Sequence, residues 1–157
     1  MTVLEKKVDA IAAVLLANDF PERDAALADL GRLMDGADIE VQAQGLKEHI
    51  DQVLLELGVP DRLCGHRYLA AALALAVKDP AAVHSITTYL YPAVAEACET
   101  TPARVERGIR HAIEVAWDRG DTDVLAEYFG NTVSSRTGKP TNSEFIARIS
   151  NVVRAQA

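Results

Sequence analysis

Three arginines, Arg104, Arg107 and Arg110, recur at three-residue intervals in the stretch that follows Thr101-Pro102. At about 100° per helical residue, Val105, Ile109, Ala112, Ile113 and Ala116 fall on one side of that stretch, while Arg104, Arg107, His111, Glu114 and, towards the edge, Arg110 fall on the other. The planar fork of an arginine matches O6 and N7 of guanine in the major groove, at roughly 1–3 kcal/mol of discrimination per good pair. The chemistry offered is recognition of double-stranded DNA.

Other chemistries lack the residues they need. His49, His66, His84 and His111 lie on separate predicted elements without metal-ligand spacing, so no metal site is expected. Gly36 and Gly45 are too far apart, and followed by no strand, to cradle a phosphate. Neither a paired carboxylate site nor a Ser/His/Asp set emerges from spacing. The reading is a protein that is not an enzyme and carries no cofactor. Cys64 and Cys98 make no disulfide framework and suit buried thiols in a reducing cytosol.

The arginine-bearing helix needs a partner to aim it. Tyr91 to Cys98 has the length of a two-turn helix, Glu99-Thr100-Thr101 makes a tight connection, and Thr101-Pro102 supplies a cap followed by proline in the first turn. Short helix, turn and capped long helix together predict a helix-turn-helix. The long helix runs from Pro102 to about Arg119 and stops at Gly120. Around it, Leu46, Ile50, Val53, Leu54 and Leu57 predict a helix closed by Gly58 and Pro60. Tyr68 to Val77 is apolar on nearly all sides, as suits the centre of a bundle. Further helices are predicted around Ala81–Leu90 and Asp121–Phe129, with a loop over 131–140. A last helix opens on Thr141-Asn142-Ser143-Glu144, a capping box. At the N-terminus, Leu4, Val8, Ile11 and Leu15 form one stripe; Leu27, Leu30 and Met34 form another, ahead of a stop at Gly36 and a polar break over Asp35–Asp38. The fold class expected is all-α: a multi-helix bundle containing a helix-turn-helix (41–157), preceded by an N-terminal helical hairpin (1–40). That hairpin is too narrow in its apolar stripes to make its own core. It is expected to serve dimerisation or regulation, with a homodimer as the favoured way of covering it.

The chain's 157 residues suffice for one domain and a small appendage. Apolar residues make up 49% and charged ones 25%, which excludes wholesale disorder. The longest apolar run, Leu69 to Val77, is about half of the roughly 20 residues that a bilayer needs, so no membrane span is expected. Lys6-Lys7 and the apolar run after them mimic a signal peptide, but Asp9 interrupts and no cleavage site follows, which predicts a cytoplasmic protein. The net charge of −7 opposes generic polyanion binding. Its distribution matters more: residues 1–60 hold 5 basic against 12 acidic side chains, and residues 61–157 hold 11 of each. A neutral C-terminal part leaves room for a local basic face.

Three stretches carry a resemblance: Ser85-Ile86-Thr87 with Leu90-Tyr91-Pro92; Arg104 through Trp117; and Lys139-Pro140-Thr141-Asn142-Ser143-Glu144-Phe145-Ile146-Ala147. From roughly Leu46 to the C-terminus, about two-thirds of the chain, the sequence resembles the DNA-binding effector domain of the stage zero sporulation protein A family of response regulators. The resemblance implies an all-helical domain whose second motif helix enters the major groove at boxes with a TGTCGAA-like core, bound by head-to-tail dimers. By the same resemblance, Glu106, Arg107 and Arg110 stand at base-reading positions. Lys139, Asn142 and Ser143 match the loop and helix start that approach the DNA backbone, where a helix N-terminus favours phosphate; Arg104 and His111, beside the base-reading positions, are further candidate backbone contacts. The segment 119–129 resembles the region that touches the RNA polymerase sigma subunit.

Departures from the family set further expectations. Gly108 stands where alanine is usual, and either lets the helix sit closer to DNA or has no consequence; Arg136-Thr137-Gly138 differs from the usual polar and basic run. A receiver domain needs on the order of 120 residues, and about 45 precede the match, so control without a phosphoacceptor is expected. The leading reading is a sequence-specific transcriptional regulator. Its rival is an interaction module that pairs with a full-length sporulation regulator or with sigma factor.

Overall fold

The structure is a computed structural model that describes residues 22–130 and 138–156. All regular elements among the described residues are helical. Helix α1 spans Arg23–Glu56, 34 residues without interruption. The expected stop at Gly36 and break over Asp35–Asp38 are therefore corrected: the backbone stays helical through them. A mid-helix glycine costs only about 1 kcal/mol, whereas a proline removes a backbone donor and clashes with the preceding turn. No proline lies between Pro21 and Pro60. The first arm of the expected hairpin, Leu4 to Leu15, lies outside the described residues.

By its contacts the chain divides into two compact units, residues 1–45 and 46–157. The second holds the core. Ile50, Val53, Leu54 and Leu57, at helical spacing, are buried in its share of α1. Gly58, at φ 89°, ends that helix: its N–H bonds to Leu55 O at 3.1 Å while Val59 N–H reaches Leu54 O at 2.9 Å, the paired bonds of a Schellman stop. Helix α2, Cys64–Lys78, carries Tyr68, Leu69, Ala72, Leu73 and Ala76 into the interior, as its apolar sequence predicts. His66, also buried, ties the start of α2 to the end of α1 through Nδ1 at Val59 O and Nε2 at Asp51 Oδ1, both 3.3 Å.

The helix expected around Ala81–Leu90 is instead two short turns, a 3₁₀ turn over Pro80–His84 and a π turn over Ile86–Leu90. Ser85 between them leaves the helical region, at φ −135° and ψ 47°. The β-branched Val83, Ile86, Thr87 and Thr88 weaken any continuous α-helix there. Four further helices follow: α3 over Tyr91–Ala97, α4 over Pro102–Arg119, α5 over Thr122–Phe129 and α6 over Asn142–Gln156. Trp117, Phe129 and Phe145 lock α4, α5 and α6 together, with ring centroids 5.0 Å apart for Trp117–Phe129 and 5.5 Å for Phe129–Phe145.

The crossing of α2 and α4 is unusually close. A Cβ on Gly65 would run into the Gly108 carbonyl oxygen, and one on Gly108 would stand 2.7 Å from the Tyr68 ring. Gly108 therefore faces the interior of the bundle. Of the two readings of Gly108, neither describes it: the missing side chain brings the helix closer to α2.

Three arginines close helix ends by donating to carbonyls that have no partner within their own helix. Arg154 Nη2 reaches Ala76 O at 2.9 Å at the end of α2, Arg67 Nη2 reaches Cys98 O at 3.1 Å after α3, and Arg148 Nε reaches Tyr128 O at 2.7 Å in α5. Tyr128 also donates its hydroxyl to Glu56 Oε2 at 2.7 Å. Burial, then this hydrogen bond and the charges of Glu56 and Glu127, push the Tyr128 phenol up to about 12.

Two outcomes are expected. Gly65→Ala places a methyl group against backbone that cannot rotate away, and should cost about 1–3 kcal/mol in denaturant unfolding although alanine is the better helix former. Because the folded state favours the neutral phenol of Tyr128, its contribution is complete below pH 10 and fades as pH rises from 10 through 12. The melting-temperature advantage of the wild type over Tyr128→Phe should shrink across that interval; an advantage that stays constant contradicts the assignment.

Candidate nucleic-acid interface

The turn between α3 and α4 is fixed on both sides. At the end of α3, Glu99 N–H bonds to Glu96 O at 3.3 Å and Thr100 N–H to Ala95 O at 2.9 Å. This Schellman pairing puts Glu99 at φ 54°, a conformation that favours glycine. Arg67 holds the same turn from α2. Thr101 then caps α4, its hydroxyl accepting from Arg104 N–H at 3.3 Å, and Pro102 opens the helix as its sequence predicts. The second helix of the motif is thus seated by its cap, its turn and its buried stripe Val105, Ile109, Ala112, Ile113 and Ala116.

On the opposite side, Arg104, Arg107, Arg110 and His111 are exposed, with Glu106 and Glu114 half-buried. Helical spacing sorts them into two ridges. Arg104, Arg107 and His111 form the outer one, and Arg107 Nε donates to Ala103 O at 3.4 Å. Glu106, Arg110 and Glu114 form the inner one, where Arg110 Nη1 and Glu106 Oε1 make an ion pair of 2.7 Å.

The inner ridge faces the start of α6. Glu106, Arg110, Lys139, Asn142 and Ser143 line one groove of about 360 Å³, with Tyr91 and Ile113 in its wall. Lys139 Nζ lies 3.4 Å from Glu114 Oε1. The Thr141 hydroxyl accepts from Glu144 N–H at 3.2 Å, half of the expected capping box. Asn142 Nδ2 donates to Tyr91 Oη at 3.0 Å and to Glu106 O at 3.1 Å. Burial raises the Tyr91 phenol, with the bond from Asn142 acting in the opposite sense. Of the eight residues singled out in the sequence, five therefore share this groove, while Arg104, Arg107 and His111 stand outside it on the same helix. Tyr91 and Arg67 were not singled out. Tyr91 follows the exposed Tyr89 without any local pattern that marks it as a wall of the groove, and Arg67 looks like one surface charge among several.

A family model for the sporulation initiation factor Spo0A C terminal matches residues 50–153. The chain belongs to this family. The Spo0A C-terminal domain is a DNA-binding effector domain, which makes the chain a DNA-binding regulator at the level of the family. The Spo0A C-terminal match embraces the whole of α2 to α5 and most of α6, including both motif helices and the groove. Among the described residues, no helix is long and apolar enough to cross a membrane, and no three His, Cys, Asp or Glu side chains are grouped to hold a metal ion.

Since Glu99 occupies a left-handed conformation that glycine adopts without strain, Glu99→Gly should stabilise the fold by about 1 kcal/mol in denaturant unfolding. DNA affinity at fixed salt should not fall, because the substitution removes one carboxylate and touches none of the side chains on the arginine-bearing arc. Loss of stability would show that the Glu99 side chain holds the turn.

Proposed function

We propose that the chain is a sequence-specific transcriptional regulator acting in the cytoplasm, which reads TGTCGAA-like boxes through Glu106, Arg107 and Arg110. Phosphate contacts come from Arg104 and His111 on α4 and from Lys139 and Ser143 at the start of α6. The observation that carries this reading is the outward arc of arginines on the capped second helix of a helix-turn-helix, in a domain of DNA-binding family. Four cations against two carboxylates make this face locally basic in a chain of net charge −7. Two copies bind tandem boxes as a homodimer, and the exposed acidic side chains of Asp121, Asp123 and Glu127 on and before α5 meet the polymerase sigma subunit.

The test is fluorescence anisotropy with tandem-box, single-box and random duplexes across a salt series. Arg107→Ala should lose about 1–3 kcal/mol on the box and far less on random DNA. Arg110→Ala is the less discriminating variant, because it leaves the Glu106 carboxylate without its 2.7 Å partner and adds repulsion on every duplex. Lys139→Ala should weaken all sequences alike and reduce the salt slope by about one unit. Equal loss on both DNAs with Arg107→Ala, or a preference for the tandem box no greater than for the single one, overturns base reading or dimeric binding respectively.

A further inference from the structure

Asn142 stands at a position that the family resemblance gives to the DNA backbone, yet its amide is turned inward. The nitrogen has two hydrogens and two acceptors, Tyr91 Oη at 3.0 Å and Glu106 O at 3.1 Å. A carbonyl can only accept, so the nitrogen and not the oxygen of the amide must face Glu106. Both donors that a phosphate could use are thereby occupied. The Glu106 carbonyl is itself the helical acceptor for the N–H of Arg110, four residues on. One side chain at the start of α6 thus grips the turn of α4 that carries Glu106, Arg107 and Arg110. Tyr91, only 7% exposed at the head of α3, is the third member of the clasp.

Resting on the DNA-reading function proposed above, we propose that Asn142 is a positioning residue for base recognition, acting with Tyr91 to hold the Glu106–Arg110 turn in register with the phosphate-contacting start of α6. Without the clasp, the phosphate contacts can still seat the protein on any duplex, but the base-reading side chains are no longer fixed relative to them. Specificity is then lost before affinity.

The experiment uses the full chain and the same anisotropy assay. Asn142→Ala should weaken binding to the box by about tenfold and to random DNA by less than about twofold, the signature of lost discrimination. A smaller folded fraction, by contrast, would lower both alike. Tyr91→Phe removes only the hydroxyl and should act in the same direction by about threefold. Combined with Asn142→Ala it should add almost nothing, since the two side chains share one interaction. Equal weakening on both duplexes, whether from a lost phosphate contact or a smaller folded fraction, overturns the proposal, as does a multiplicative double variant. A wild type without preference for the box would overturn the proposed function instead, and amide exchange of the free protein then decides the clasp. Exchange over residues 106–110 should be about tenfold faster in both Asn142→Ala and Tyr91→Phe; unchanged exchange overturns the clasp whatever the DNA sequence.

Discussion

The direction in which the arginine-bearing face of α4 points depends on how closely α4 can approach α2. Two helices that pack through ordinary side chains keep their axes 8–10 Å apart. Here the contact lies between Gly65 and Gly108, where neither position has room for a methyl group. This approach lays Val105, Ile109, Ala112 and Ala116 flat on the core at 0% exposure, so the rotation of α4 about its own axis is settled by packing. Once that rotation is fixed, the 100° step from residue to residue places the arginines outward with no further adjustment. The Schellman turn at Glu99, the Thr101 cap and the aromatic triangle of Trp117, Phe129 and Phe145 then secure the two ends of the same helix.

Arginine does two kinds of work in this domain, and charge counting cannot separate them. Arg67, Arg148 and Arg154 are spent on the carbonyl ends of α3, α5 and α2. Arg104, Arg107 and Arg110 stand on the exposed arc. Both sets add equally to the neutral balance of residues 61–157. What distinguishes them is whether the guanidinium lies near the last turn of another helix, a relation between residues as far apart as Ala76 and Arg154.

Local chemistry made much of the site legible. The bounds of α4 follow from Thr101-Pro102 at one end and Gly120 at the other, and the start of α6 from Thr141 and Glu144. The arc of arginines follows from the same periodicity. Features that depend on competition or on distant partners were not legible. Gly36 and the aspartates around it resemble a stop, but without a proline they are too weak to end α1. Ser85 breaks a stretch whose composition alone suggests one helix. Gly108 and Asn142 lie on the DNA-facing motifs in sequence but point towards Tyr68 and Tyr91, residues some 40 to 50 positions away. The inward turn of a side chain from a surface motif has no periodic signature.

The ion pair of Arg110 with Glu106 bears on how such a domain finds its target. A guanidinium already engaged at 2.7 Å offers phosphates less net attraction than a bare one, and Lys139 beside Glu114 is similarly offset. In a chain of net charge −7, such offset cations on the proposed face lower the hold on arbitrary sequence. Encounters with the wrong DNA are then brief, and the protein returns quickly to solution. On the proposed reading of bases by Glu106 and Arg110, residence becomes long only where the bases give the arginine and the carboxylate separate partners. The carboxylates that weaken the grip also shorten the search.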